Sequence, residues 1–329
     1  MQRQPLLVVT IDTEEEGLWS DSFRERGNTC ENIKELPRVQ AIFEKHSVVA
    51  TYLVDYPVAT DDPAIAMLSG FQDGVGVEIG AHLHPWCNPP FATLPPELQR
   101  SEARTFAHRL PVEIQREKLR ALRDRIAEVF QRAPTSYRAG RWGFDATTIP
   151  ILEELGFSVD SSVFPLSWER VDGGPDFSSA SLEPYRLNAE DACKSGDCSL
   201  MEVPMSALVT GRLGQTVERL ARPLGPARGL RRALELLGYR SLRPELWGPE
   251  DLRRVADAVV SRGVPVFNVM FHSSVCLPGA TPYAKDATDV ARFCSRVDDL
   301  LEYVLAVHGA RSVALSTVPQ ILALENAQH

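Results

Sequence analysis

Short apolar runs rich in valine and isoleucine alternate with stretches of helical period along the whole chain. Strand-like runs fall at residues 6–11, 48–54, 75–82, 135–139, 157–160, 200–204, 264–272 and 312–316. Between them, 37–45 opens with a proline suited to a first helical turn. Residues 112–131 repeat apolar side chains at 119, 122, 126, 129 and 130, a helical stripe. Segment 147–155 runs into Gly156, a natural cap, and 250–260 and 286–308 follow the same pattern. Strands alternating with helices predict βαβ units and a mainly parallel sheet. Eight strand candidates spread over 329 residues, with no linker or internal repeat, predict one distorted (β/α) barrel of about seven parallel strands spanning 1–329. Two stretches read as insertions on it: 161–199, polar and turn-rich, and 207–249, rich in arginine and leucine and helical in pattern.

Composition narrows the partners. Lys+Arg is 35 against 44 Asp+Glu, and the net −9 argues against general binding to nucleic acid or an anionic membrane. The exception is local: residues 212–254 hold ten arginines and no lysine. That stretch reads first as a solvated helical face and second as a surface for an anionic substrate, such as a nucleotide- or lipid-diphosphate-linked sugar. No apolar run reaches the ~20 residues of a membrane span. The start, with five apolar residues before acid appears, is too short for a secretory signal. The six cysteines are scattered, and the Lys-Ser-Gly-Asp between Cys193 and Cys198 reads as a hairpin turn. Reduced thiols and a cytoplasmic location are the expectation.

In a parallel α/β barrel, functional side chains gather at the C-terminal strand ends. Here those ends read Asp12-Thr13-Glu14-Glu15-Glu16, His82-Leu83-His84-Pro85-Trp86, Arg138-Ala139-Gly140-Arg141-Trp142, Asp160-Ser161-Ser162 and His272-Ser273-Ser274. Each has an ordinary explanation alone: a carboxylate caps a helix, a histidine is hydrogen-bonded structure, the glutamates form an exposed turn. Together they converge. His82 and His84, two apart in extended chain, share a face, as do Asp12 and Glu14. Two imidazoles and a carboxylate on converging faces make an open metal site.

In order, TIDTEEE, EIGAHLHPW, YRAGRWG, VDSS and NVMFHSS resemble the motifs of the polysaccharide deacetylases (carbohydrate esterase family four), in a divergent branch related to surface-polysaccharide biosynthesis. The resemblance covers residues 6–316 and implies a metal-dependent hydrolase on a distorted barrel that removes N- or O-acetyl groups from sugars. It implies Asp12 as general base, Arg138 as the arginine holding it, with Arg141 a competitor, Asp160 as the acid orienting a catalytic histidine, and His272 as that histidine, the general acid. Two metal positions depart from the family pattern. Thr13 stands where a second Asp is usual, so Glu14 is the substitute. Trp86 stands where the second His is usual, so His84 is the substitute. Either the metal centre re-forms from Glu14, His82 and His84, with zinc the first choice over cobalt, iron or manganese, or metal is held weakly or not at all.

If the site works, bound metal would activate water and polarise the acyl carbonyl, aided by a backbone N–H near Arg141–Trp142. Trp19, Trp86, Trp142 and Trp168 lie close to the motifs, and aromatic faces suit sugar rings, so Trp86, Arg141 and Trp142 are the expected substrate-binding residues. A carbohydrate or sugar precursor is the expected partner. The competing functions are hydrolysis of a non-sugar C–N amide on the same scaffold, and a catalytically inactive carbohydrate-binding protein.

Overall fold

The computed structural model of the chain describes residues 4–20, 23–72, 76–99, 101–168, 173–225, 227 and 229–326. Its strands are β1 (Leu6–Thr13), β2 (Ala50–Val54), β3 (Val77–Leu83), β4 (Ser136–Ala139), β5 (Val159–Asp160), β6 (Tyr185–Asn188), β7 (Asp191–Ser195), β8 (Met201–Glu202), β9 (Ala207–Val209), β10 (Tyr239–Ser241), β11 (Val266–His272) and β12 (Arg311–Ser312). Seven of them, in the order β11-β1-β2-β3-β4-β5-β8, form a curled parallel sheet, and β12 pairs parallel to the start of β1. The strand expected at 75–82 runs from Val77 to Leu83, with Val75 outside the described residues. That expected at 312–316 shrinks to β12 and a short 3-10 turn, Leu315–Thr317.

The alternation of β1 explains the layering. Leu6 and Val8 join Leu53, Val159, Val203 and Val266 in one buried cluster, which Val318 and Leu322 of the helix Val318–Asn326 close at the N-terminal end of the strands. Leu7, Val9 and Ile11 point the other way, into the larger core beneath the helices. Each such fully buried aliphatic side chain contributes roughly 1.5–3 kcal/mol. The 20-residue helix Ala287–Ala306 shows how the outer layer is set: Val290, Phe293, Val297, Leu300, Leu301 and Val304 make its buried stripe. Asp286 Oδ1 caps it by accepting from the N–H groups of Thr288 and Asp289, worth about 1 kcal/mol.

Above the apolar plug the interior turns polar. Among the described residues no ladder joins β8 to β11, and Asn268 bridges that gap through its side chain, donating to Ser161 Oγ at 2.9 Å and to the Val203 carbonyl at 3.0 Å. Side chains close the layer where backbone pairing is not available.

The segment 161–199 forms turns, an isolated Trp168–Asp176 bridge and the antiparallel β6–β7 hairpin, which attaches to β8. Lys194 and Ser195 belong to β7 and not to the expected turn, and Cys193 and Cys198 are free thiols. The segment 207–249 is only partly helical. The antiparallel pair β9–β10 frames two short helices, Gly214–Ala221 and Leu230–Leu236.

Candidate active site

The register of the sheet brings the strand-end residues together. Asp12 on β1 pairs with His272 on β11, and His82 on β3 pairs with Arg138 on β4. Paired residues in a sheet point to the same face, so these four side chains meet inside the C-terminal mouth. Asp12, His82 and His272 line a cavity of about 350 Å³ together with Glu14, His84, Arg141 and Trp142, and Arg138, fully buried, bonds to Asp12.

Arg138 is fully buried and spends its guanidinium on fixed partners. Nη1 donates to Asp12 Oδ1 at 2.7 Å, Nη2 to Thr10 Oγ1 and Ser161 Oγ at 2.9 Å each, and Nε to the Ser161 carbonyl at 2.7 Å. Burial pushes the Asp12 carboxyl up, but Arg138, with His82 and His272, outweighs that and holds its pKa at about 2. With Oδ1 occupied, Oδ2 lies 3.9 Å from His82 Nε2 and 4.0 Å from His272 Nε2. Arg141, the competitor for this role, turns elsewhere: it donates to Thr105 Oγ1 and packs over the Phe23 and Phe106 rings. Arg141 and Trp142 both adopt left-handed backbone, φ 52° and 59°, at the cavity wall, a conformation that costs non-glycine residues and clusters at working sites.

The structure brings the donors Glu14, His82 and His84 together. Glu14 Oε2 is 3.4 Å from the Nε2 atoms of both histidines, and all three residues are buried. The second ring nitrogens fix the tautomers. His82 Nδ1 donates to the Arg138 carbonyl at 3.0 Å, and a carbonyl can only accept, so Nε2 carries a lone pair. His84 Nδ1 lies 2.8 Å from Glu15 Oε2. Burial holds the two imidazoles neutral, with pKa values of about 3 and about 4. Glu14 Oε1 has no hydrogen-bond partner at all. Burial, with Asp12 and Glu15 beside it, pushes the Glu14 carboxyl well above its ordinary range. Three electron-pair donors facing one another, one with an orphaned buried oxygen, require either a proton or a cation between them. The residues present therefore fit a divalent metal, with both histidines oriented by outer partners as metal-binding histidines usually are.

A second set with donor spacing, Glu15, Asp55, His84 and Cys87, lies behind the first. Here the bonds are already made: Glu15 Oε1 accepts from Trp86 Nε1 at 2.9 Å and Cys87 Sγ at 3.4 Å, and Asp55 accepts from the Glu15 and Val58 N–H groups at 2.8 Å. This set orients His84. The expected alternative of an exposed acidic turn fails for Glu14 and Glu15, which are 1% and 2% exposed.

Gly140 is part of this packing. A Cβ placed there would collide with the His84 ring and sit 2.7 Å from the Leu83 carbonyl. Only glycine lets the β4 end pass so close to that imidazole.

Two expected placements are corrected. Asp160 does not orient His272. Its carboxyl accepts from Ser162 Oγ at 2.7 Å and from the Ser162 N–H at 3.1 Å, and Asp160 pairs in register with buried Glu202 on β8. His272 Nδ1 instead meets Glu245, at 3.0 and 3.1 Å from its two oxygens, and Glu245 also accepts the His272 N–H. Arg243 donates to the same carboxylate. Burial pushes Glu245 up, yet His272 and Arg243 bring it down to about 2. Nothing in the sequence marked Glu245: it sits 27 residues before His272, in the insertion, on no strand end. Trp86 is the second correction. It is 4% exposed, stacked on His84 with ring centroids 4.3 Å apart, and lies behind the histidine, away from the cavity. Trp19, Trp142 and Trp168 do line the cavity, Trp142 stacked on Phe164 at 5.2 Å and Trp19 edge-on to His272 at 5.3 Å.

No family model and no curated protein sequence matches the chain. Solved structures do. A protein from Mycobacterium smegmatis provisionally classed as a polysaccharide deacetylase superposes with a TM-score of 0.55 at 18% identity, covering 100% of this chain and 92% of its own. One from Parabacteroides distasonis provisionally classed as a glycoside hydrolase/deacetylase gives 0.59 at 13% identity, covering 98% of this chain and 72% of its own. At such identities the likeness establishes the fold, and the function is argued from the site.

Proposed function

We propose that this chain, built on the fold of the polysaccharide deacetylases, is a metal-dependent hydrolase that removes an acetyl group from a carbohydrate or glycan precursor. One observation carries the reading: an Asp locked by a buried Arg and a His locked by a buried Glu face each other at 4.0 Å beside the Glu14, His82 and His84 triangle.

Glu14 Oε2, His82 Nε2 and His84 Nε2 would hold the cation. A divalent metal, zinc by first preference, supplies Lewis acidity toward the acyl oxygen and acidifies water. Asp12 Oδ2 takes the proton of the attacking water. Arg138 keeps that carboxylate ionised and immobile. A carboxyl with a pKa of about 2 is a weak base toward ordinary water, which is why the acidifying cation belongs to the scheme. Water's oxygen bonds to the acyl carbon, the C–N bond breaks, and His272 Nε2 gives its proton to the leaving nitrogen. Glu245, held against Nδ1, keeps Nε2 pointed at the cavity. Trp19, Trp142, Phe164 and Trp168 offer apolar faces to sugar rings. A cytoplasmic location belongs to the same proposal, since six free thiols suit a reducing compartment; cell fractionation tests it.

The test is acetate release from acetylated oligosaccharides by protein loaded with zinc, with metal content read in parallel. His272→Ala should abolish turnover and keep stoichiometric metal, and His82→Ala should lose both. Tight glycan binding without metal or acetate release would replace the proposal with a binding protein. Turnover confined to non-sugar amides would move it to another hydrolase class.

A further inference from the structure

The insertion between β9 and β10 carries an unusual surface. Five of the nine exposed large hydrophobic residues among those described lie between 213 and 237: Leu213 at 73%, Leu220 at 65%, Leu224 at 58%, Leu236 at 82% and Leu237 at 56%. Leu213, Leu220 and Leu224, seven and four apart, repeat at the helical period along Gly214–Ala221 and its extension. The buried side of that helix is a different one, made by Gly214, Glu218 and Ala221. Single exposed leucines are ordinary, but five in 25 residues are not.

The charge of the same stretch is opposite to that of the protein. Residues 212–240 contain seven arginines, two glutamates and no other charged residue, a net +5 in a chain of net −9. One of the glutamates does not face solvent: Glu218 is buried and paired with Arg262 at 2.7 Å. Arg212, Arg219 and Arg232 are exposed and make no ion pair among the described residues. Arg231, at the start of Leu230–Leu236, lines the active-site cavity. The leucine- and arginine-bearing insertion therefore forms part of the cavity wall.

We propose that the 207–249 insertion seats this protein on an anionic membrane surface, its leucines entering the interface and its arginines meeting the phosphate headgroups. Exposed leucines beside unpaired arginines on short helices are the composition of an interfacial element. A second copy of the chain fits the face poorly, because it would set +5 against +5. Seating here brings the cavity mouth to the level of the headgroups, and the rest of the acidic molecule is repelled from the bilayer, which fixes its orientation.

The experiment is co-sedimentation of the full chain with phosphatidylcholine vesicles, with and without about a third phosphatidylglycerol, at about 0.1 and 0.5 M salt. Binding should require the anionic lipid and weaken with salt. Leu220→Asp with Leu236→Asp should lower partitioning at least about tenfold, and Arg219→Glu with Arg232→Glu should do the same. All four side chains are solvent-exposed, so circular dichroism melts should stay unchanged. Absence of binding to anionic vesicles, or variants that bind as well as wild type, would overturn the proposal. So would a wild-type dimer that the leucine variant converts to monomer, which would assign the face to a second copy.

Discussion

Replacing Glu245 by glutamine separates what orients His272 from what lies near it in sequence. The carboxylate stands about 3 Å from His272 Nδ1. Two unit charges at that distance attract by about 5 kcal/mol at an effective dielectric near 20. His272 is 14% exposed, so solvent screening leaves about half of that. The amide keeps the shape and one acceptor, so the loss is the charged contact that holds the ring. About 2–3 kcal/mol corresponds to roughly a hundredfold fall in turnover. The assay is acetate release across pH with metal content measured alongside. Turnover should fall with KM and metal stoichiometry unchanged. Asp160→Asn is the control: it touches Ser162 and Glu202 and should alter stability while leaving turnover close to wild type. A Glu245→Gln enzyme within about threefold of wild type, or an Asp160→Asn enzyme that loses turnover as far as Glu245→Gln does, would refute the assignment.

Two other outcomes follow from the same geometry. Gly140→Ala places a methyl on the His84 ring and against the Leu83 carbonyl, so zinc affinity should fall by about ten- to a hundredfold in a metal-competition titration, and an unchanged affinity would mean His84 is no ligand. Glu14, raised above its ordinary 4.5 by burial and then by Asp12 and Glu15, contributes stability in full below the unfolded pKa and loses it as pH rises through the folded one. Chelator-treated protein should therefore melt progressively lower as pH climbs from about 5; added zinc, or Glu14→Gln in the chelated protein, should flatten the dependence, and a flat profile for the untreated side chain would count against the site.

Much of this was legible along the chain. Alternation in β1 and helical stripes such as that of Ala287–Ala306 are local patterns, and local patterns survive folding because backbone geometry sets their period. Asp12, His82, Arg138 and His272 were found because strand ends of a parallel barrel converge whatever the loops do. Glu14 and His84 were found because a spacing of two in extended chain keeps donors on one face. Trp86 was misplaced because that same spacing says nothing about which ring stands in front, and packing put it behind His84. Asp160 was misassigned because nearness to a strand end does not fix a hydrogen-bond partner; the carboxylate that reaches His272 comes from the insertion, as Glu245.

By itself, then, the sequence determined the barrel, which strand ends carry chemistry, and the identity of the facing acid, arginine and histidines. Tertiary structure alone decided that Glu245 and Arg243 reach His272, that Glu15 and Asp55 stand behind His84, and that the basic insertion forms a cavity wall with exposed leucines. These depend on contacts between segments tens to hundreds of residues apart. Side-chain pairing at such separation is set by how the insertions pack on the barrel mouth, and no period or motif in the chain encodes that.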